Sequence, residues 1–529
     1  MISLPGGRTS RLIVTSIILA STAFPLAKAV NAACVTANRG GNETAGVLGQ
    51  SEQNGKAMND TILYGTPRKA PVMYRLHAGP VSVKFADGEL RYLCVGRKEI
   101  VRRVYFGVRD DRWDTVMPEL SDVRVQDSGN SFKISFKALC RNDISDYGWN
   151  GEITGTADGR IAFKMDGAAN TDFTAGRLGM NILFGAGSLA GQQYELVAED
   201  GKASPGVFPV NVTGPLLADF NSFKTLRYTT AQGMSVSTGM DTQCIGMEDQ
   251  RNYGDTSYKA FSSIPYSYPA VTKGDRREQT FTLEVKNAVV EPAVGKTVRV
   301  TVGKPVSGAK VPKIVPPGPP TWSTFRTYNG DPGTYPHTAM LVMPFNPALH
   351  MPDDDTFMEN IPTVLDWVKS IRSVAPKAEF RIDPIGFNSP YPRSGADPRN
   401  KGLFAAPWCA RVVMYLALGG VKEAAFVPNT GFAADVLRQL SPYAGHRVLD
   451  AEIKASEPSP VDVLAVEGDN KTVVWLMNLT PEPQKVSLHG LGKPKRVHFK
   501  SIASTPDSPM KLPSLKLSPF EVLQVNVEY

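Results

Sequence analysis

Helical and strand-like periods alternate over a short central part of the 529-residue chain. The pattern reads as a strand at 339–343, apolar residues at helical spacing over 357–371, a strand at 380–382, a helix at 403–418, a strand at 424–427 and a short helix at 433–440. It predicts three β/α units. A complete eight-fold barrel needs about 250 residues, whereas roughly 120 lie between Thr327 and Gly445. We therefore expect a partial barrel-like segment over residues 326–450.

A period of two, with turn dipeptides between the strands, marks the chain on both sides of this segment. Val81, Val83 and Phe85 before Asp87-Gly88 are typical of it. The pattern predicts a large antiparallel β-sandwich over 61–303 and a smaller one over 455–529. Six prolines between Val302 and Trp322 favour a stiff linker at 304–325. The expected fold is multi-domain and mainly β: an N-terminal antiparallel β-sandwich, a partial TIM-barrel-like α/β segment and a C-terminal β-sandwich.

The amino terminus indicates export. Arg8 and Arg11 precede an apolar run, and small residues such as Ala29 and Ala32 follow it, which is the pattern of a secretory signal peptide over residues 1–33. The alternative is a membrane anchor, but the run falls short of the roughly 20 apolar residues that a spanning helix needs. Residues 34–60 are rich in Gly, Asn, Ser and Gln and predict a flexible lead-in. We expect a periplasmic or secreted protein with no membrane attachment after cleavage.

Charge and cysteine content limit which partners, disulfides and metals are expected. The formal charge of +7 includes three basic residues of the leader, and no Lys/Arg-rich run follows it, so nucleic acid is not expected as a partner. The five cysteines leave two possibilities open, a Cys94–Cys140 bridge or buried free thiols. No CxxC or clustered His/Cys spacing is present, and neither a metal nor a cofactor is expected.

One polar block stands out in the first β-domain. It is MEDQRNYGDTSYK, from Met247 to Lys259. One interpretation of this block is an active site. A carboxylate of Glu248 or Asp249 would take a proton from water, while Arg251 or Lys259 would stabilise negative charge on a carbonyl oxygen. Substrate-binding candidates in the same block are Asn252 and Asp255. The alternative is an ion-paired network at a domain interface, in which Arg251 makes bidentate contacts to a carboxylate.

A second candidate follows a strand of the α/β segment, where barrel folds place functional side chains. In the sequence RIDPIGFNSP, Asp383 and Asn388 are candidates for substrate binding. The alternative is a strand-ending turn at Asp383 and a loop cap at Asn388. His337 and His350 flank the first α/β strand, but without a recognisable partner they are better explained as structural residues.

Several long blocks resemble the D-apionate lactonase family, whose members open the lactone of the branched sugar acid apionate during breakdown of the plant sugar apiose. The blocks include RYLCVGRKEIVRRVYFGVRDDRWDT from Arg91, GMEDQRNYGDTSYK from Gly246 and WLMNLTPEPQKVSLHGL from Trp475. The resemblance implies an N-terminal β-sandwich, a barrel and a C-terminal β-domain. Departures accompany it: the central region is shorter than the family pattern, Phe184-Gly185 stands where the family pattern has His-Pro, and Pro428 occupies a position where it has an acidic residue.

Together these features suggest an exported carbohydrate-active hydrolase that acts on a sugar-acid lactone or a related plant-sugar substrate. The alternative is a catalytically inactive relative that binds carbohydrate or serves as an interaction protein. The expected partner is a small carbohydrate or sugar-acid lactone. If another chain supplies the rest of the barrel, the protein is a homo-oligomer.

Overall fold

A computed structural model describes residues 59–67, 72–214, 217, 223–244, 246–262, 269–290, 295–318, 340–345, 353–386, 397–427, 429–455, 459–502 and 510–529. The predicted signal peptide and almost all of the lead-in lie outside these ranges. Within them, no helix is both long enough and apolar enough to span a membrane.

The N-terminal domain is an antiparallel β-sandwich with two short helices. Its strands are β1 (Tyr74–Ala78), β2 (Val81–Ala86), β3 (Glu89–Val95), β4 (Lys98–Asp110), β5 (Pro118–Asp127), β6 (Phe132–Arg141), β7 (Asp146–Gly155), β8 (Arg160–Ala169), β9 (Phe173–Gly185), β10 (Gln193–Val197), β11 (Ala203–Val207), β12 (Phe223–Thr229), β13 (Ser235–Cys244), β14 (Gly246–Asp249), β15 (Ser257–Phe261), β16 (Ala270–Val271) and β17 (Arg276–Lys286). The helices are α2 (Ala186–Leu189) and α1 (Asp60–Tyr64), which precedes the first strand but packs in the core of the α/β segment.

These strands form two sheets. The first sheet has the order β1-β2-β3-β4-β9-β15-β14, with β16 also paired to β9, and the second has the order β11-β10-β12-β13-β17-β8-β7-β6-β5. Between them lies one apolar core that includes the aromatic contacts of Trp149 with Phe106, Phe136 and Phe163. The predicted N-terminal sandwich is confirmed.

The first sheet has one apolar face and one charged face. On β4, Val104, Phe106 and Val108 belong to the sandwich core. Because successive side chains of a strand lie on opposite faces, Arg103 and Arg109 lie on the other face of the sheet. Both arginines are nevertheless buried. Other parts of the molecule must therefore cover this charged face.

The next strand, β18 (Thr297–Lys310), belongs to the C-terminal sheet rather than to the first domain. Val298, Val300 and Val302 lie in the C-terminal core, which explains why the strand joins that sheet. The domain boundary expected at residue 303 falls inside β18, and residues 304–310 are strand rather than linker. Pro305 is accommodated at an irregularity in the pairing, where a ladder hydrogen bond is not required.

The α/β segment contains the three predicted β/α units. Its elements are β19 (Lys313–Ile314), β20 (Met340–Phe345), α3 (Asp354–Glu359), α4 (Thr363–Val374), β21 (Glu379–Gly386), α5 (Ala405–Leu418), β22 (Glu423–Val427) and α6 (Gly431–Leu440), with 3-10 helices at Pro398–Lys401 and Ser441–Tyr443. The strands are parallel in the order β19-β22-β21-β20. Over the described residues this is a four-stranded open layer, in agreement with the predicted partial barrel.

The C-terminal domain completes the predicted architecture. It consists of β18, β23 (Arg447–Lys454), β24 (Val461–Gly468), β25 (Lys471–Asn478), β26 (Gln484–His489), β27 (Arg496–Ile502), β28 (Ser514–Leu517) and β29 (Val522–Glu528), in the order β27-β29-β25-β24-β23-β18-β26-β28. Strands from both ends of this order enclose a common apolar core. Its other face packs on α5, whose Trp408 shares a second core with Trp475 of β25. Burial on both sides explains why α5 is apolar almost all around.

Of the two possibilities for the cysteines, a Cys94–Cys140 bridge or buried free thiols, the structure contradicts the first. Cys140 and Cys409 are buried free thiols, and Cys94 is disulfide-bonded. The Cys94–Cys140 bridge is therefore wrong. Cys94 lies on β3 of the first sheet and Cys140 on β6 of the second, and packed sheets are about 10 Å apart, farther than a disulfide can reach.

Candidate functional site

The polar block folds as a hairpin at the edge of the first sheet. β14 and β15 are joined by a 3-10 helix at Gln250–Tyr253, which Asp249 caps by accepting a hydrogen bond from the amide of Arg251. The helix ends at Gly254, whose φ of 93° is a conformation that glycine adopts without strain. In the hairpin Glu248 lies directly opposite Lys259. Their side chains therefore share one face of the sheet, and Asp249 lies on the other.

The hairpin packs against the start of the α/β segment. Asn360, at the end of α3, donates a hydrogen bond of 2.6 Å to Asp255 and accepts one of 2.8 Å from the amide of Thr256. Trp367 of α4 donates to the carbonyl of Arg251 at 2.6 Å. Helix α4 connects β20 to the parallel strand β21, so its amino-terminal turns lie on the side of the carboxyl ends of these strands. The block thus faces the side where barrel folds carry their functional groups.

Asp249 and Arg251 form a saturated pair. The guanidinium donates to both carboxylate oxygens of Asp249, from Nε at 2.9 Å and from Nη2 at 2.8 Å. It also donates to the carbonyls of Val210 at 2.9 Å and Pro209 at 2.7 Å. Asn252 closes the turn by donating to the carbonyl of Asp249. These three residues of the predicted site hold the hairpin on its neighbours, as the alternative interpretation expected.

Glu248 and Lys259 have a different environment. The ammonium of Lys259 lies 3.3 Å from Oε2 of Glu248 and 2.8 Å from the side-chain oxygen of Gln250. Gln250 in turn donates to Glu248 at 2.7 Å. Burial lowers the pKa of Lys259 to about 7; Glu248 opposes this shift, and Arg177 and Arg109 reinforce it. Lys259 can therefore gain and lose a proton near neutral pH, which a general acid or base requires.

A small polar cavity lies where the hairpin, β4 and α3 meet. Its lining includes Lys259, Asp255 and Gln250 from the hairpin, Arg103 from β4 and Glu359 from α3. The space is large enough for about one water molecule. The cavity therefore places one titratable lysine beside a site for water.

Ion pairs across the same interface were missed in the sequence. Arg91 of β3 contacts Asp353 at 2.8 Å, and Lys84 of β2 contacts Asp355 at 2.5 Å. Tyr92 donates a short hydrogen bond to Glu359. The sequence of β3 and β4 does indicate a charged face, because arginines alternate there with core residues. The partners in α3 are more than 250 positions away, so the pairing itself is not visible in the sequence.

The second predicted site is not part of this interface. Asp383 lies inside β21, where its carboxylate accepts from Arg381 at 2.6 Å and from the amide of Gly318 at 2.9 Å. It fastens the segment after β19 to the sheet and is not a strand-ending turn. Asn388, His337, His350 and Pro428 lie outside the described residues. The described residues contain no group of three or more His, Cys, Asp or Glu side chains arranged to hold a metal ion.

Comparison with protein families decides the lineage. Models of three domains match the chain in order: the N-terminal domain of D-apionate lactonase over 61–288, its TIM barrel domain over 315–449 and its C-terminal immunoglobulin-like domain over 458–525. The chain belongs to the D-apionate lactonase family. This confirms the resemblance noted in the sequence.

Individual relatives of this family member are more distant. The D-apionate lactonase of Brucella anthropi is 27% identical over 264 residues, which cover 48% of this chain and 42% of that protein. The match thus spans less than half of the relative's length. Among solved structures, a galactose 1-epimerase from Lactobacillus acidophilus NCFM has a TM-score of 0.27 at 8% identity, covering 42% of this chain and 97% of that chain. A GH30 endoxylanase from Clostridium papyrosolvens C71 has a TM-score of 0.25 at 14% identity, covering 36% and 49%. Structural similarity this low supports no argument about activity.

Proposed function

We propose that this protein is an exported hydrolase that opens the lactone ring of a sugar acid, with Lys259 and Glu248 at its reactive centre. Family membership supports the reaction class. The observation that carries the site is buried Lys259, which pairs with Glu248 and lines a water-sized cavity on the side of the carboxyl ends of the parallel strands.

The chemistry follows from the protonation of Lys259. The neutral amine takes a proton from water while the water oxygen adds to the lactone carbonyl carbon. Glu248 stabilises the ammonium that forms, and cationic side chains at the cavity such as Arg103 stabilise the oxyanion. The bond between the carbonyl carbon and the ring oxygen then breaks, and the ammonium returns its proton to the leaving oxygen. Lactone and water thus give one hydroxy acid.

Access to the cavity requires movement. Ligand pockets commonly measure about 300–1,000 Å³, far more than a space for one water molecule. A sugar lactone therefore enters only when α3 withdraws from the charged face of the first sheet. The ion pairs of Arg91 and Lys84 with the start of α3 hold this interface closed.

The activity is tested with purified mature protein and D-apionolactone, by following acid release at constant pH. We expect hydrolysis with a rate that rises through about pH 7, because the neutral form of Lys259 is the base. Lys259→Met should lower kcat by about 100-fold or more, the usual contribution of a general base. The matched control is Lys164→Met, which removes an exposed lysine from the second sheet.

Two outcomes contradict parts of this proposal. If hydrolysis persists in Lys259→Met, Lys259 is not the general base, although the proposed reaction class still holds. Calorimetric binding of sugars without turnover by the wild-type protein favours the carbohydrate-binding relative.

Export is a separate part of the proposal, and it rests on the leader sequence of residues 1–33. We expect the protein in the periplasm or the medium, with an amino terminus generated by cleavage after Ala29 or Ala32. Cell fractionation followed by amino-terminal sequencing tests this. An uncleaved cytosolic product contradicts it.

A further inference from the structure

Two buried arginines lie directly opposite each other on neighbouring strands of the first sheet. Arg109 of β4 pairs with Arg177 of β9, and each side chain is at most 4% exposed. Like charges at directly opposite positions destabilise a sheet, and burial makes the repulsion stronger. Both arginines lower the pKa of Lys259, which shares the contact to Glu248 with Arg177. Buried cations favour negatively charged partners, and Glu248 contacts two of these three cations.

Arg177 is poorly satisfied by the protein. Its guanidinium lies 3.4 Å from Glu248 and 3.5 Å from the side-chain oxygen of Asn181, both long contacts for a charged hydrogen bond. Its Nε is buried without a hydrogen-bond partner. Arg251, in the same domain, makes five hydrogen bonds of 2.7 to 3.1 Å through its backbone amide and guanidinium groups. Arg177 therefore retains donor capacity for a ligand.

Aromatic rings hold Arg177 in place. Its guanidinium carbon lies 4.3 Å from the ring centre of Phe261 and 5.8 Å from that of Trp113. Trp113 has a φ of 67°, which is unusual for a bulky residue. A side chain at Gly176 would approach the carbonyl of Asp110 at 2.6 Å, so the absence of one permits this close packing. The strained turn places the indole over the cation.

We propose that Arg177, with Arg109 opposite it and Trp113 above it, forms a subsite for the carboxylate of a sugar acid. This deepens the proposed function and rests on it for the identity of the ligand. Hydrolysis of a lactone produces a carboxylate from the former carbonyl group. Glu248 contacts both Arg177 and Lys259, so the subsite adjoins the proposed base. Arginine binds carboxylates through paired N–H donors, which matches the unused capacity of Arg177.

The test compares ligands that differ only in the acid group. Sodium D-apionate and D-gluconate are titrated calorimetrically into wild-type protein, with D-apiose and D-glucose as neutral counterparts. We expect at least one acid to bind at least about tenfold more tightly than its neutral counterpart, since the acid alone makes charge-assisted hydrogen bonds. Arg177→Met should lose at least about tenfold in acid affinity, and Arg177→Lys should retain part of it because it keeps the charge.

The matched control is Arg276→Met, which removes an exposed arginine from the second sheet and should leave acid affinity within about twofold. Circular dichroism identifies any variant that fails to fold, and Arg177→Lys then provides the comparison. Three results overturn the subsite: neither acid binds to the wild-type protein, acids and neutral sugars bind equally, or folded Arg177 variants bind acids like the wild type. Acid binding without lactone hydrolysis contradicts only the proposed reaction, whereas hydrolysis without acid binding contradicts only the subsite.

Discussion

Two carboxylate–cation pairs lie side by side in one hairpin, yet their surroundings differ. Asp249 and Arg251 are joined by two short hydrogen bonds, and Arg251 donates further to two backbone carbonyls. Glu248 and Lys259 are 3.3 Å apart, and Glu248 is shared with Arg177 at 3.4 Å. The first pair has its hydrogen-bonding capacity filled, whereas the second is crowded by like charges. Neighbouring like charges, rather than the number of ion pairs, distinguish the candidate reactive pair from the structural one.

A second copy of the structural pair supports this interpretation. Asp397, Arg399 and Asn400 repeat the spacing Asp-x-Arg-Asn at another 3-10 helix. Arg399 donates to both oxygens of Asp397, at 3.0 and 2.6 Å, and Asn400 closes the turn on the carbonyl of Asp397. The same local geometry in two unrelated places indicates a turn-stabilising unit.

The largest effect is expected from removing the cation of the saturated pair. Arg251→Met leaves Asp249 buried without its partner and should lower the free energy of unfolding by about 3–5 kcal/mol. Urea denaturation measures this change. The kcat for lactone hydrolysis, measured without urea at low temperature, should stay within about twofold of the wild-type value, because Arg251 does not line the cavity.

Arg399→Met is the matched control for this comparison, since it breaks the second copy of the unit. We expect a similar loss of stability with unchanged kcat. A large fall in kcat for Arg251→Met, with unfolding unaffected, reverses the assignment of structural and reactive pairs.

The next effect concerns the pH dependence of stability. Burial lowers the pKa of Lys259 from 10.5 in the unfolded chain to about 7 in the folded protein. Between these values the unfolded state binds a proton that the folded state lacks, so stability rises with pH by up to about 1.4 kcal/mol per unit. Below about pH 7 both states are protonated, and the contribution is constant.

The free energy of unfolding of the wild type relative to Lys259→Met should therefore increase by about 2–3 kcal/mol between pH 7 and 9. Urea denaturation at each pH measures the difference. A difference that does not change with pH shows that Lys259 keeps its proton in the folded protein.

A smaller effect is expected for Glu248→Gln. The amide keeps the shape of the side chain but removes the negative charge that stabilises protonated Lys259. We expect kcat to fall about 10- to 30-fold, by analogy with the loss of one charge-assisted contact to a general base. The acid limb of the pH–rate profile should also move below pH 7, because Glu248 raises the pKa of Lys259. Glu278→Gln, on the exposed surface of the second sheet, is the control, and equal profiles for the two variants contradict the role of Glu248.

The fold was largely readable from the sequence because its periods are local. The strands of the first sandwich and the three β/α units follow from alternation and helical spacing within short windows. The position of β18 was not predicted, because its neighbour β26 lies more than 170 positions later and the prolines suggested a linker. Partner choice in a sheet is a nonlocal property.

The candidate site was predicted as one block of sequence, but the sequence could not rank the residues within it. Glu248 and Asp249 are adjacent in the sequence and lie on opposite faces of β14, so their environments depend on what covers each face. Arg177 was not predicted as a site residue, because a single charge in an apolar strand does not by itself indicate a site. A period-two reading of β4 and β9 would have placed Arg109 and Arg177 on one face, although their direct pairing requires the register of the two strands.

The smallest expected effect tests how redundant the saturated pair is. The hydroxyl of Tyr258 donates to the carbonyl of Pro209 at 2.6 Å, and the same carbonyl accepts from Arg251 at 2.7 Å. Tyr258→Phe removes one of these two donors and leaves the carbonyl satisfied, while the ring keeps its stacking on Phe208. The free energy of unfolding should therefore fall by only about 1 kcal/mol, with kcat unchanged. A loss as large as that of Arg251→Met means that the hydroxyl, rather than the ion pair, holds the hairpin on its neighbouring loop.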